Sequence, residues 1–183
     1  MAREARIESA QDGLVPIGDD GWFVLNAREG RWRIWEGVGA RLSFEGEIGF
    51  AQLGVNLVSL EPGEPIGMYH REIDQEDFLV VAGEAVLIVE GVERPLRAWD
   101  FVHCPPGTAH MIIGAGDGPC VVIAVGAREH RNEAEIIRYP VEEAALRHRA
   151  GVQEETPDPR VAYAHLPPRR WSRYRDGWLP DLE

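Results

Sequence analysis

The chain has 183 residues, 44% hydrophobic and 27% charged, enough for one well-filled core and short for two. Its 31 acidic residues outnumber 19 basic ones, and a formal net charge of −12 argues against nucleic acid or anionic lipid as a partner. No run approaches ~18 consecutive apolar residues, and Met1 to Gln11 lacks the apolar stretch of a secretory signal, so no membrane span is expected.

Residues 1–30 carry no sustained period and read as an N-terminal arm, in which Trp22 to Leu25 make one short strand or an arm lying on the body. From Arg31 the texture changes to short apolar runs between turn signals. These are Trp32–Trp35, Arg41–Phe44, Leu53–Leu60, Asp77–Val81, Ala85–Val89, Val92–Leu96, Phe101–Cys104, Met111–Ile113 and Val121–Val125. Each is of strand length and rich in branched and aromatic residues, at the spacing of a sandwich or barrel. Glu90-Gly91 reads as a two-residue hairpin. The fold class is therefore all-β over residues 31–126.

Residues 127–183 read as a short helix and a packed tail. Pro140 to Leu146 predicts a helix with Pro140 in its first turn and Gly151 as its C-terminal cap. Gln153 to Arg160 reads as a loop. Tyr163, Trp171, Tyr174 and Trp178 are too many aromatics for a free tail, so they are expected to pack on the body or on a second subunit. Arg169, Arg170, Arg173 and Arg175 are interleaved with them, and their guanidiniums are expected in water. Cys104 and Cys120 lie in apolar runs and read as buried thiols of a reducing, cytoplasmic compartment. A disulfide between them requires neighbouring strands.

The residues with the most chemistry are His70, Glu72, Glu76 and His110. Three fall within seven positions after the Pro62-Gly63 turn, and the fourth follows Pro105-Pro106-Gly107. Glu76 and His110 each open an apolar run. Polar groups at strand mouths can converge, and two imidazoles with a carboxylate are a donor set for a divalent metal. Glu72 shares an acidic run with Asp74, Glu76 and Asp77 that reads equally well as a solvated loop. No Gly-x-Ser-x-Gly elbow, phosphate-binding Gly-rich loop or Cys-x-x-Cys is present. All 19 basic residues are Arg, which excludes Schiff-base chemistry on lysine.

Residues 63–83 resemble the first cupin motif: Gly, five residues, His-x-His, three or four residues, Glu, six residues, Gly. Glu76 and Gly83 keep the last interval. A three-residue gap puts His70 and Glu72 in the His-x-His positions, whereas a four-residue gap puts Tyr69 and Arg71 there. The first keeps a histidine and is the one adopted. Residues 99–114 resemble the second motif, with Pro105-Pro106-Gly107 and His110 in place, Trp99 where the pattern has Gly, and Gly114 where it has Asn. The family pattern also puts Val102 and Cys104 inside and His103 outside. His130, His148 and His165 lie beyond this region, and surface roles suffice for them.

The resemblance implies a single jelly-roll-like antiparallel β-barrel holding one divalent metal ion (Fe, Mn, Zn or Ni). His70, Glu76 and His110 would be its ligands and Glu72 a candidate fourth. It also implies a small-molecule ligand and a homodimer paired through strands. The expected function is that of a metal-dependent dioxygenase or related enzyme on a small organic substrate. The alternative is a non-enzymatic binding or storage barrel, with or without metal.

Overall fold

The computed structural model describes residues 3–18, 21–46, 49–133 and 135–181. Before the central strands lie β1 (Arg3–Glu4), β2 (Arg6–Ala10), β3 (Gly13–Ile17) and β4 (Gly21–Trp22). The apolar runs then become β5 (Trp32–Trp35), β6 (Val38–Ser43), β7 (Leu53–Leu60), β8 (Arg71–Glu72) and β9 (Glu76–Ala82). They continue as β10 (Glu84–Val89), β11 (Val92–Arg97), β12 (Phe101–Cys104), β13 (His110–Ala115) and β14 (Cys120–Ala127). After them come β15 (Ile137–Arg138), α1 (Glu143–Arg147), α2 (Pro159–Ala162) and β16 (Arg170–Ser172).

Two antiparallel sheets carry the core. The larger has the order β12-β9-β14-β7-β6-β5-β16, and the smaller β11-β10-β13. Between β10 and β11 the expected hairpin is present, with Glu90 and Gly91 at φ 46 and 76, as a two-residue primed turn requires. Among the described residues no ladder joins the two sheets, so the closed barrel expected from the sequence is not observed. Residues 65–70 span the gap instead: Pro65 bridges Ile113 and His70 bridges His110, while Gly39 N donates to Pro65 O.

The larger sheet has an inner and an outer face, set by the period-2 alternation of its strands. On the inner face Val58, Phe78, Val80 and Val122 share one buried cluster with Ala85, Leu87, Met111 and Ile113 of the smaller sheet. Ala144 and Ala145 of α1 close it. On the outer face Trp32, Leu42, Leu57 and Val121 form a second cluster, covered by Tyr174, Trp178 and Leu179 of the tail. Trp32 is fully buried there, 5.0 Å from the Trp178 ring, with its indole N–H donating to Ala27 O. The tail's aromatics thus pack on their own chain, and β16 extends the sheet beyond β5.

Several local expectations are corrected. Residues 6–17 form a hairpin, which the sequence hid because β2 is half to fully exposed and shows no apolar period. Of Trp22 to Leu25 only Trp22 is in a strand; Phe23 leaves it to stack on Phe50. Pro140 lies outside α1, because Tyr139 bridges Thr156 and keeps the chain extended there. Glu142 caps α1 instead, its side chain accepting from Ala144 N. Arg149, at φ 58, closes the helix before Gly151 is reached, with Ala150 N donating to Ala145 O and Arg149 N to Leu146 O. The expected loop from Gln153 contains the start of α2, capped by Asp158 with Pro159 in the first turn, a pattern the sequence displayed.

Candidate metal centre

Glu76 is the first residue of β9 and His110 the first of β13. Gly83, at φ 77, ends β9's register; a Cβ there would lie 2.4 Å from Pro119 O, so this turn accepts only glycine. His70 comes from the bridging segment, and its backbone exchanges hydrogen bonds with His110 in both directions, at 3.3 and 2.9 Å. Both imidazoles therefore project to one side. His70 Nε2 and His110 Nε2 each lie 3.2 Å from Glu76 Oε2. One donor atom from each of these three residues falls within 4.8 Å of the others, so the group could hold a metal ion.

The ring tautomers favour that use. His70 Nδ1 lies 2.7 Å from Met68 O, and His110 Nδ1 lies 3.0 Å from Thr108 O. A carbonyl can only accept, so each Nδ1 carries a proton, and in the neutral ring the lone pair is on Nε2, facing Glu76. His110 is only 2% exposed and its Nε2 has no aligned hydrogen bond, despite the nearby carboxylate. A buried polar atom of that kind, aimed between two other donors, fits a divalent cation of the kind imidazole and carboxylate bind.

Burial works against the Glu76 charge, yet the imidazoles of His110 and His70 hold its carboxyl well below the usual range. Burial also opposes the His110 charge, but Cys104 and Glu76 push that imidazole up to about 10. Cys104 lies directly across from Glu76 on β12. Glu72 stands beside the trio, 3.7 Å from His70 Nε2, and burial followed by the Glu76 charge pushes it up to about 7. Tyr69 and Arg71, the alternative pair, do otherwise: Tyr69 Oη accepts from Gly91 N, and Arg71 is exposed on β8.

Several other titratable residues have structural partners. Val102 and Cys104 point inward while His103 points out to Asp77, 2.6 Å away. Asp74, in the run that reads as a solvated loop, is buried and takes His130 Nδ1 at 2.6 Å. His148 meets Glu93 at the surface. Cys104 and Cys120 are free and buried, on strands separated by β9.

A cavity of about 320 Å³ is lined by His70, Glu72 and Glu76, while the buried His110 is not part of its wall. Its wall includes Arg41, Asn56, Phe78 and Tyr163, none of which the sequence reading selected. Strand alternation gave no signal for Arg41, because it separates two faces without saying which is inside.

Residues 56–126 match the family model of the cupin domain. A Vibrio cholerae serotype O1 protein that carries the name mannose-1-phosphate guanylyltransferase is 31% identical over 88 residues, covering 46% of this chain. The match spans only 18% of that protein's length. An RmlC-like cupin from Shewanella frigidimarina superposes with a TM-score of 0.51 at 19% identity, over 61% of this chain and 96% of that one. The polyketide cyclase RemF from Streptomyces resistomycificus gives a TM-score of 0.51 at 11% identity, over 59% and 80%. At these identities the likeness is one of fold. Taken with the two motifs and the geometry they position, the family-model match identifies residues 56–126 as a cupin domain.

Proposed function

We propose that this protein is a metal-dependent enzyme of the cupin type acting on a small organic molecule, with His70, Glu76 and His110 as ligands of one divalent ion. The observation that supports this most is the buried His110 Nε2, which faces Glu76 without an aligned hydrogen bond beside a second imidazole held in the same tautomer. Two histidines and one carboxylate leave coordination positions free, and such sets serve Fe(II) oxygenases, which makes a dioxygenase the leading form of the proposal. When bound, the ion supplies Lewis acidity and a template for substrate.

The chain's own residues do the rest. The backbone carbonyls of Met68 and Thr108 keep both rings oriented. Phe78, 5.2 Å from the His110 ring centroid, packs edge-on against it from the apolar side. Glu72 holds a proton near neutrality at the cavity wall and is placed to give or take one from a bound molecule. With a cation present its ionised form is favoured, and it becomes the candidate fourth ligand.

One observation favours the rival reading of a binding barrel without metal. Glu76 lies 3.2 Å from both imidazoles, so the trio is charge-compensated by itself once a histidine is protonated. Elemental analysis of protein purified without a metal-affinity tag separates the two. About one Fe, Mn, Ni or Zn per chain supports the enzyme, and none after reconstitution with each in turn supports the binding barrel.

A further inference from the structure

Arg33 on β5 and Arg41 on β6 are directly opposed in the larger sheet. Their row continues through Val58, Val122 and Val80 on one side, with Trp171 beyond Arg33 on the other, so both lie on the inner face. Like charges opposed across a ladder destabilise it, and taking them out of water adds to the cost. Arg169 brings a third guanidinium, 3.9 Å over the Trp35 ring and 5.9 Å from that of Tyr163. Burial first, then Arg41 and Arg169, draws Arg33 down to about 10, which leaves it charged at neutral pH.

No carboxylate lies within 4 Å of any of the three among the described residues. The one side-chain hydrogen bond they make is from Arg41 Nη2 to Ile66 O, at 2.9 Å. Glu72 and Glu76 act on Arg41 only from across the cavity. The three arginines wall a pocket of about 70 Å³ that shares Arg41, Ile66, Gly67 and Tyr163 with the larger cavity beside His70 and Glu76. A water occupies roughly 30 Å³ of liquid volume, so the pocket takes a group of a few heavy atoms and not a whole metabolite. Guanidiniums match the planar or trigonal oxygens of carboxylate and phosphate, which they bind in bidentate fashion.

We infer that Arg33, Arg41 and Arg169 form an oxyanion site that binds the phosphate or carboxylate end of a small molecule whose remainder lies in the cavity lined by His70, Glu72 and Glu76. The cost of opposing two inner-face arginines is then offset when the anion enters. The placement of the remainder rests on the proposed metal-dependent function; the capture of the anion does not.

The test uses full-length, EDTA-treated protein with inorganic phosphate and malonate as ligands, followed by calorimetry and thermal melting. Either anion at millimolar concentration should bind and raise the Tm, and the tighter of the two identifies the group carried by the substrate. Arg33→Met and Arg41→Met should each weaken binding at least tenfold. Arg33→Met should melt no lower than wild type in anion-free buffer, because it removes one of two opposed charges. Arg169→Met, at an exposed position, gives a variant whose folding is not at issue and should weaken binding as well. Glu76→Gln should keep anion binding while losing metal. No binding of either anion, or equal affinity in wild type and all three arginine variants, overturns the site. Anion binding without any metal uptake sinks the proposed enzyme and leaves the site standing; metal uptake without anion binding does the reverse.

Discussion

His70 and His110 form an antiparallel backbone pair, each donating its N–H to the other's carbonyl, and their rings stand 5.0 Å apart at centroids. Thirty-nine residues separate them in the chain, yet one bridge sets both imidazoles against Glu76. The ligand geometry is therefore a property of the backbone. Replacing a side chain should remove the metal without disturbing the bridge.

His110→Ala, Glu76→Ala and His70→Ala are each expected to lower metal affinity by at least ~100-fold, since even lost outer partners of a metal ligand cost 10–100-fold. Far-ultraviolet dichroism should stay β-dominated in all three. Metal content by mass spectrometry of the purified variants is the readout. Full occupancy in His70→Ala would show that the three-residue gap in the first motif was the wrong choice.

The strand positions and the grouping of His70, Glu76 and His110 were legible because they depend on local pattern and fixed spacing. Leu53–Leu60 and Phe101–Cys104 form strands over the expected residues, and the six-residue interval from Glu76 to Gly83 marks a turn that only glycine can make. The arginines were not legible, for a physical reason. In Trp32-Arg33-Ile34-Trp35 alternation separates two faces but does not say which is inside. Trp32 and Leu42 would ordinarily mark the inner face and leave Arg33 and Arg41 in solvent. Here the tail brings Tyr174 and Trp178 over the outer face, so the apolar residues are buried there and the arginines turn inward. That pairing of residues more than a hundred positions apart has no local trace in the sequence.

Protons and metal should compete at His110. Burial opposes its charge, but Cys104 and Glu76 push it up to about 10, so the metal-free protein holds that proton at pH 7. Metal binding at Nε2 must displace it, and about one proton per ion should be released at pH 7, measured as buffer-dependent heat in calorimetry. Without metal, a raised histidine pKa contributes stability that is full below the unfolded value of about 6.5 and lost as pH rises through about 10. The Tm of EDTA-treated protein should therefore fall across that window, and His110→Gln should flatten the slope. Glu76 acts at the acid end: its depressed carboxyl stabilises above the ordinary 4.5, and that contribution fades as pH falls toward its folded value.

Glu72→Gln separates the two roles open to Glu72. Its carboxyl is pushed up to about 7 by burial and then by Glu76, so removing its charge should relieve the metal-free protein above pH 7 and raise its Tm there. Unchanged metal affinity makes Glu72 a proton carrier at the cavity wall. A loss matching that of Glu76→Ala makes it the fourth ligand.

Trp99 is where this chain departs most plainly from the cupin pattern, and the departure has a measurable cost. It occupies φ 77, in the left-handed region, in a turn where Asp100 N donates to Arg97 O. A residue two places into such a turn is ordinarily glycine, and a side chain there is strained by roughly 1–2 kcal/mol. Packing returns little of this, because Trp99 is 76% exposed. Its N–H bond to Val80 O, at 2.7 Å, is a backbone contact that glycine would keep. Against the relief stands the extra freedom glycine gives the unfolded chain, about 0.4–1 kcal/mol. Trp99→Gly should therefore be neutral to stabilising by about 1 kcal/mol in urea unfolding, with an unchanged m-value. A loss above about 1 kcal/mol would mean that the exposed indole is covered in solution, and sedimentation of wild type beside the variant would show whether a second copy of the chain covers it.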